Sequence, residues 1–557
     1  MEYKPENPLV VQSDRTVLLE VNHPRFVEAR NHLCAFAELE RSPEHIHTYR
    51  ISPLSLWNSA AAGHDPAGII ATLKTLSKFP VPANVEMEIL NWMSRWGAIR
   101  LHPHEKGYMM ECNTPTLLRE IMAQKATMKY IKEQLSKTQA LIDPGFRGHL
   151  KLELIKIGWP VEDLAGYRDG ADFKFALRDS CKAGQPFVIR DYQRHSADAF
   201  HAGGGPRGGA GVIVLPCGAG KTIVGITAMQ MIGKKTLILT TNIVAARQWI
   251  TELLDKTSVT EADIGEYSGE VKIIKPITIA TYQILTHRKS KADRFSHFDL
   301  FNAEDWGLIV YDEVHLLPAP VFRVTAELQS RRRLGLTATL VREDGKETDV
   351  FSLIGPKRFD VPWRDLESSG WIATAECREY RLRLPDHLEE TYAISGDREK
   401  FRIASENEKK EEIIQELVRK HEGDHILVIG QYLSQLERIA TRLNAPLLTG
   451  KTPTSEREKL YDDFRVGRIG VLVVSRVANF AIDLPDANVA IEVSGLFGSR
   501  QEEAQRLGRI LRPKNGDNRA IFYVLVSRNT CEETFAQKRQ LFLVEQGYKY
   551  DIELVDA

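Results

Sequence analysis

The chain has 557 residues, enough for roughly three to five domains. Hydrophobic residues make up 43% of it and charged residues 27%, which is ordinary globular usage and excludes a disordered or fibrous chain. Its 74 basic and 75 acidic side chains leave a net charge of −1, so a nucleic-acid partner would have to bind at a local patch of basic residues.

Cysteine usage and hydropathy indicate the compartment. The 6 cysteines include no Cys-x-x-Cys pair, which argues against a disulfide framework or a zinc site and favours a reducing environment. No apolar run reaches 18 residues and the first residues are polar, so we expect neither a membrane span nor a signal peptide. We therefore expect a soluble, cytoplasmic protein with no membrane partner.

Residues 1–111 predict a small α+β domain of strands, three helices and a final hairpin at 98–111. Asp65-Pro66 is a typical helix start, with a polar cap before a proline in the first turn. Three helices and a hairpin resemble a winged helix, which binds DNA in some proteins and protein partners in others. Few clustered basic residues and several tryptophans of a buried type favour a protein partner over DNA.

We expect residues 112–180 to form a smaller separate unit or linker domain. Residues 125–135 have the pattern of a basic helix, and repeated glycines mark turns beyond it. The leucines of 150–157 fit both a strand and a helix, so periodicity leaves that element open.

From residue 181 onward, strands alternate with helices, which predicts α/β lobes at 181–365 and 366–557, each a doubly wound parallel sheet. The strands of the first lobe are predicted at 212–215, 236–240, 277–280, 308–311 and 333–336. The strands of the second lobe are predicted at 425–429, 446–448, 470–474, 489–493 and 520–526. A highly charged helical insert occupies 386–422, and a solvated helix face is its alternative interpretation.

A phosphate-binding loop is predicted at Leu215-Pro-Cys-Gly-Ala-Gly-Lys-Thr222, between the first strand and a helix. In that setting backbone N–H groups at the helix N-terminus can cradle a polyphosphate. Lys221 would reach the β- and γ-phosphates of ATP, and Thr222 would bind Mg²⁺. The strict pattern has glycine where this chain has Leu215, so an ordinary glycine turn is the alternative.

Two carboxylates follow the apolar strand that ends in Asp312-Glu-Val-His315. In an open α/β sheet they lie at the carboxyl edge, where ligands bind. Asp312 is placed to hold Mg²⁺, and Glu313 is the candidate base for the attacking water.

A helix at 499–513 ends at a proline and carries Gln505, Arg509 and Arg512 on one face. Such a face suits a cleft between two lobes, where arginine fingers stabilise the transferring phosphoryl group. An exposed amphipathic helix is the alternative interpretation.

These motifs, together with Leu334-Gly-Leu-Thr-Ala-Thr-Leu-Val-Arg-Glu-Asp344, resemble superfamily 2 helicases and, more closely, the XPB (xeroderma pigmentosum group B) DNA repair helicase family. The likeness extends to Val11–Leu101 and Leu541–Tyr548. It implies two RecA-like lobes and an ATP-driven DNA motor of 3′-5′ polarity acting in nucleotide-excision-type repair. By position, it implies a damage-recognition-like domain near 130–180 and a thumb-like element at the charged insert.

The resemblance also implies roles for individual residues. The catalytic set is Lys221, Asp312, Glu313, Arg509 and Arg512, with Thr222 and Asp312 as metal ligands. The nucleotide-binding set is Arg190, Gln193, Pro216, Cys217, Gly218, Ala219, Gly220, Lys221, Thr222, Asp483 and Gln505. The coupling and DNA-contacting set is His315, Thr337, Thr339, Arg342, Glu343, Asp344, Thr241, Asn242, Arg247, Gln248 and Thr281.

Other functions share these motifs. A duplex DNA translocase or an RNA helicase of the same superfamily would carry the same ATP site without separating DNA strands. An ATP-gated subunit of a repair complex would bind partners without stimulation by nucleic acid. The chain lacks the long acidic insertion and lysine-rich tails of eukaryotic family members, which favours a bacterial or archaeal member.

Overall fold

The structure is a computed structural model. It describes residues 3–33, 35–41, 45–61, 63–143, 146–164, 169–201, 203, 209–216, 218–285, 287, 297, 300, 304–316, 332–338, 350, 354–355, 357–361, 363–475, 487–495, 518–545, 548 and 550–555. The chain forms two compact units, the first made of residues 1–214 and 220–360, the second of residues 361–557 with the short segment 215–219.

The first unit begins with a four-stranded antiparallel sheet and helices that cover it. The strands are β1 (Leu9–Val11), β2 (Thr16–Glu20), β3 (Glu38–Arg41) and β4 (Ile46–Arg50), in the order β1-β2-β4-β3. The helices are Phe26–Leu33, Pro53–Ala61, Pro66–Leu76 and Ala83–Met93. Asp65 caps the third helix, as predicted, by accepting a hydrogen bond from Gly68 N at 2.9 Å. Trp57 is 4% exposed and donates to the Trp92 carbonyl, so it belongs to the core as expected, and the partly buried Trp92 packs against that core.

A second sheet in the same unit combines strands from residues 1–111 and 112–180, which the sequence analysis assigned to separate domains. Its strands are β5 (Ile99–His104), β6 (Gly107–Cys112), β7 (Ile131–Gln134), β8 (Gln139–Ile142) and β9 (Val161–Asp163), in the order β7-β8-β6-β5-β9. Its helices are Pro115–Ala123, Lys125–Met128 and Arg147–Lys156. The predicted hairpin at 98–111 therefore forms the middle of this sheet rather than the end of the preceding domain. The reason is long-range pairing, since β6 aligns antiparallel with β8 and their apolar faces share one core.

Two local predictions in this region are resolved. The predicted basic helix at 125–135 is wrong beyond Met128, where the helix ends. Residues Ile131–Gln134 form β7 instead, with Ile131 buried in the core and the next three residues exposed. The open choice at 150–157 is settled as a helix, with Leu150 and Leu154 fully buried one turn apart.

The third sheet has seven strands that all pair in parallel. They are β10 (Ala210–Val214), β11 (Thr236–Thr240), β12 (Ile264–Tyr267), β13 (Ile277–Thr281), β14 (Leu308–Asp312), β15 (Arg332–Thr337) and β16 (Lys357–Asp360). The neighbouring helices are Asp191–His201, Lys221–Ile232, Ile243–Lys256, Tyr282–Leu285 and the 3₁₀ turn Val314–Leu316. All five strands predicted for this lobe are confirmed, because strands buried on both faces are continuous apolar runs.

The second unit repeats this architecture. Its strands are β17 (Thr374–Leu382), β18 (Ile426–Gly430), β19 (Leu447–Leu448), β20 (Val471–Ser475), β21 (Val489–Glu492), β22 (Arg519–Ser527) and β23 (Tyr550–Val555). Its helices are Trp363–Ser368, Asp386–Ile394, Asp397–Ser405, Lys409–Lys420, Leu433–Leu443, Thr454–Arg465 and Cys531–Glu545.

Both parallel sheets have one spatial order of strands. In the first it is β12-β13-β11-β14-β15-β10-β16, and in the second β19-β20-β18-β21-β22-β17-β23. Numbered within each sheet, both orders are 3-4-2-5-6-1-7, so the two parallel sheets belong to versions of one doubly wound RecA-like lobe. The predicted fold class is therefore confirmed.

The charged stretch 386–422 is not a single solvated element. Helix Asp386–Ile394 has no buried residue, in keeping with the expectation. Helix Lys409–Lys420, in contrast, places Ile413, Ile414 and Leu417 in the core beneath the parallel sheet of β17 to β23. Within the residues that the structure describes, no helix is both long and apolar enough to cross a membrane.

Candidate active site

The predicted phosphate loop follows β10 and precedes helix Lys221–Ile232. Gly218 and Gly220 adopt left-handed backbone conformations, with φ of 81° and 77°. A Cβ on Gly220 would lie 2.4 Å from Gln193 Nε2, so a side chain here is excluded by contact as well as by φ. The loop thus delivers a helix N-terminus, whose first N–H groups have no partner within the helix.

The predicted adenine-contacting pair lies beside this loop. Gln193, 4% exposed, accepts a hydrogen bond through Oε1 from Arg190 N at 3.1 Å. The Arg190 guanidinium donates to the Tyr192 hydroxyl at 3.1 Å. The start of helix Asp191–His201 therefore holds both residues in a fixed arrangement next to Gly220.

The lysine and the carboxylate pair meet as predicted. Lys221 Nζ lies 2.7 Å from Glu313 Oε1, and the two side chains are 11% and 23% exposed. Asp312 ends β14, and Glu313 follows it with φ of 48°, a left-handed conformation that is uncommon outside glycine. Strain of this kind is concentrated at functional sites, and here it turns the Glu313 side chain toward Lys221.

The two adjacent carboxylates have opposite pKa shifts. Burial and the neighbouring charge of Glu313 raise the pKa of Asp312 to about 6. Burial opposes ionisation of Glu313 as well, but the Lys221 ammonium outweighs it and holds the Glu313 pKa below its usual value. Glu313 is therefore ionised at neutral pH, as a group that accepts a proton must be.

The predicted coupling residues His315 and Thr337 form a buried pair. His315 Nδ1 lies 2.6 Å from Thr337 Oγ1 and 3.4 Å from Glu313 Oε2. His315 is 4% exposed and Thr337 is fully buried at the end of β15. A chain of contacts thus runs from the candidate base to the neighbouring strand.

The residues predicted to contact DNA follow the ends of β11 and β13. Asn242 caps helix Ile243–Lys256, because its Oδ1 accepts a hydrogen bond from Ala245 N at 2.9 Å. Thr281 is 2% exposed, and its hydroxyl accepts from Ile284 N at 3.4 Å. Arg247 is 45% exposed and pairs with Glu270 at 2.7 Å. Thr241 and Gln248, in the same segment, are partly exposed.

Two residues that the sequence did not single out touch Asp312 directly. The Trp249 indole donates to Asp312 Oδ2 at 3.0 Å, and the Tyr282 hydroxyl donates to the Asp312 carbonyl at 2.8 Å. Each is the chain neighbour of a residue expected to contact DNA, Gln248 for Trp249 and Thr281 for Tyr282. Both are buried, at 1% and 3% exposed, so each needs a partner for its polar atom, and the sequence alone does not show that burial.

Several predicted site residues lie outside the residues that the structure describes. They are Cys217, Thr339, Arg342, Glu343, Asp344, Asp483, Gln505, Arg509 and Arg512.

The described residues fit a nucleoside triphosphate with a divalent cation. A lysine and a helix N-terminus offer donors for phosphate. Thr222 and Asp312 offer the hard oxygen ligands that Mg²⁺ prefers. Among the described residues no three His, Cys, Asp or Glu side chains cluster as a metal cage. Mg²⁺ bound through one carboxylate and substrate phosphates needs no such cage.

Two parallel lobes of one strand order, with this loop and carboxylate pair at the carboxyl edge of the first, define a helicase-type ATPase. The model of the ERCC3/RAD25/XPB C-terminal helicase family matches residues 366–555. A helicase conserved C-terminal domain matches residues 9–136, and the res subunit of type III restriction enzymes matches 186–342.

Full-length relatives identify the family. The DNA 3′-5′ helicase XPB of Kineococcus radiotolerans is 52% identical over 99% of this chain and 97% of its own length. The DNA 3′-5′ helicase XPB of Mycobacterium tuberculosis is also 52% identical, over 99% and 98%. The putative DNA 3′-5′ helicase Rad25 of Halobacterium salinarum is 38% identical over 90% and 79%. The chain belongs to the XPB family of DNA 3′-5′ helicases, as its motifs predicted.

Proposed function

We propose that this chain is an ATP-driven motor that opens DNA with 3′-5′ polarity during DNA repair. The observation that carries the proposal is the Lys221–Glu313 contact beside Asp312, in a chain whose family is that of DNA 3′-5′ helicases. Because the relatives at 52% identity are bacterial, we assign the activity to the cytoplasm.

Each residue around the loop has a role in this proposal. ATP with Mg²⁺ supplies the transferable phosphoryl group and a cation that neutralises its charge. Lys221 and the start of its helix hold the phosphates, while Thr222 and Asp312 hold the cation. Arg190 and Gln193 bind the adenine. Glu313 orients the attacking water and accepts its proton, and the Lys221 ammonium keeps the Glu313 carboxylate in the ionised form that this role requires.

His315 and Thr337 pass the state of the ATP site to the DNA. Their contact links Glu313 to the end of β15, after which the chain continues to Thr339 and to Arg342, Glu343 and Asp344. We propose that these last residues help to open the duplex. Asp483 and Gln505 complete the nucleotide site, and Arg509 and Arg512 act as arginine fingers.

DNA is held through its backbone. We propose that Thr241, Asn242, Arg247, Gln248 and Thr281 mark the contact segments, with main-chain donors of the capped helix starts as well as side chains. Contacts to phosphates carry no sequence information, and their strength falls with salt. This explains how a chain of net charge −1 can bind DNA.

Polarity is the direct test of this proposal. We expect ATP-dependent strand displacement on a duplex with a 3′ single-stranded tail and none on a 5′-tailed or blunt duplex of the same sequence. Rates of displacement and of ATP hydrolysis would be measured together on these DNAs and on an RNA of matched sequence. Equal displacement from the 5′ tail, or preference for RNA, would refute a 3′-5′ DNA helicase.

A second candidate is a translocase that moves along duplex DNA without separating strands. The relative from Enterocytozoon bieneusi, 33% identical over 98% of this chain, is named a helicase/translocase subunit of general transcription and DNA repair factor IIH. Displacement of a third strand from a blunt duplex, with no displacement on the 3′ tail, would favour this candidate.

Residues 1–110 are proposed to dock a protein partner such as a repair nuclease. Helix Ala83–Met93 leaves Met87 67% and Leu90 44% exposed on one face, whereas its other face is in the core. We expect Met87→Glu to weaken nuclease binding and to leave ATP hydrolysis unchanged. The control is Met128→Glu, at a methionine that is 41% exposed in helix Lys125–Met128. Equal effects of both variants in a binding titration would contradict this surface.

A further inference from the structure

Two aromatic side chains from different segments converge on one residue of the ATP site. Trp249, in helix Ile243–Lys256 after β11, donates its indole N–H to Asp312 Oδ2 at 3.0 Å. Tyr282, directly after β13, donates its hydroxyl to the Asp312 carbonyl at 2.8 Å. One aromatic therefore holds the Asp312 carboxylate and the other holds its main chain.

The indole is fixed by close packing. Gly225 lies in the adjacent helix Lys221–Ile232, and a Cβ at this position would come within 2.4 Å of Trp249 Cη2. Trp249 is 1% exposed, so neither solvent nor space allows its ring to rotate. The direction of its N–H is thereby set by the contact between these two helices.

The Asp312 carboxylate is consequently held at both oxygens. Oδ1 accepts from Glu313 N at 3.0 Å, and Oδ2 accepts from Trp249. Each carboxylate oxygen has a further lone pair, so both remain able to face a cation or its bound water. Partners behind a metal ligand fix its orientation in this way.

We propose that Trp249 and Tyr282 are positioning residues that orient Asp312 toward Mg²⁺ and tie it to the two segments that bind DNA. The inference rests on the function proposed above. Asn242 caps the helix that carries Trp249, and Thr281 precedes Tyr282, so each DNA-contacting segment has its own hydrogen bond to Asp312. Because a hydrogen bond weakens steeply when it is misaligned, a shift of either segment on DNA would change how Asp312 is held.

The first test measures metal-dependent nucleotide binding rather than turnover. A fluorescent non-hydrolysable ATP analogue is titrated at a series of Mg²⁺ concentrations and in EDTA. We expect Trp249→Phe to raise the Mg²⁺ concentration for half-maximal binding by about 10–100-fold and to leave binding in EDTA unchanged. The matched control is Trp306→Phe, since Trp306 is 3% exposed in the same unit and donates to the Leu300 carbonyl instead.

A second variant separates the hydrogen bond from the packing. Replacing Trp249 by benzothienylalanine keeps the ring shape and exchanges only the N–H for sulfur, so it should reproduce the metal effect without lowering the unfolding temperature. Tyr282→Phe removes only a hydroxyl, and we expect it to reduce the DNA stimulation of ATP hydrolysis about fivefold, the loss of one hydrogen bond.

The outcomes distinguish this inference from the function on which it rests. A Mg²⁺ response of Trp249→Phe equal to that of Trp306→Phe, or a wild-type response of the benzothienylalanine protein, would overturn the positioning role. If DNA stimulated ATP hydrolysis by Tyr282→Phe as strongly as by the wild-type protein, the positioning role of Tyr282 would be overturned. If the wild-type protein bound the analogue but hydrolysed no ATP on any DNA, the proposed function itself would be refuted.

Discussion

Glu313→Gln is expected to lower DNA-stimulated ATP turnover by about 10²–10⁴-fold, the usual contribution of a positioned general base. Glutamine has nearly the same shape as glutamate but cannot take a proton from water. Lys221, 2.7 Å from Glu313 Oε1, keeps a hydrogen-bond acceptor in the variant, so the loop and the nucleotide affinity should be preserved. The loss should therefore fall on kcat rather than on KM.

The chain offers a matched control for this variant. Lys235 and Glu304 form a second lysine–glutamate pair in the same unit, at 2.5 Å, away from the phosphate loop. Glu304→Gln should hydrolyse ATP at the wild-type rate. Lys221→Ala should also abolish turnover, with a loss of nucleotide affinity that Glu313→Gln does not show. Undiminished turnover in both Glu313→Gln and Lys221→Ala would disprove the catalytic assignment.

Most inner strands of both lobes and the core of the ATP site could be predicted from sequence because their determinants are local. A strand buried on both faces is a continuous apolar run, and parallel strands bring their carboxyl ends to one edge of the sheet. Asp312 ends β14 and Glu313 follows it, while Lys221 opens the helix that the phosphate loop connects to β10, so their meeting required only that β10 and β14 share a sheet.

The remainder depended on contacts that are distant in sequence. The strands of the two lobes that were not predicted are β12, β16 and β23, which lie at sheet edges, and β17, which lies beside β23. They are only partly buried and lack a continuous apolar run. The hairpin at 98–111 pairs with β8, a strand that lies beyond residue 130, and no local sequence pattern predicts that pairing. Trp249 lies in a segment expected to contact DNA. Its ring faces inward because it packs against Gly225 of the adjacent helix Lys221–Ile232, a contact that the sequence does not show.

The charged stretch 386–422 contains the largest departure from local expectation, the buried Lys410. This side chain is fully buried, although the run of charges around it predicts a solvated helix face. Lys410 Nζ donates to both carboxylate oxygens of Glu532, at 3.0 and 2.8 Å, and to the Val493 carbonyl at 2.9 Å. Glu532 also accepts from Ser405 Oγ at 3.1 Å and Ser527 N at 2.9 Å. Three helices, strand β22 and the residue that follows β21 therefore meet at one ion pair.

Lys410→Met is expected to lower the free energy of unfolding of the second unit by roughly 3–5 kcal/mol, because it leaves the Glu532 carboxylate buried without its cation. Arg402→Met is the control in the same unit, since Arg402 pairs with Glu406 at the surface, is 54% exposed and should contribute only about 0–1 kcal/mol.

The double variant Lys410→Met/Glu532→Leu separates the two contributions to this loss. It should recover part of the stability, because it removes the uncompensated charge while leaving Ser527 N without its acceptor. Hydrogen exchange of the β21 and β22 amides, measured by mass spectrometry on the full chain, reports this unit directly. If Lys410→Met exchanged no faster than Arg402→Met, the buried pair would not be what secures these strands. If the double variant were less stable than the single one, the penalty would lie in lost hydrogen bonds rather than in the buried charge.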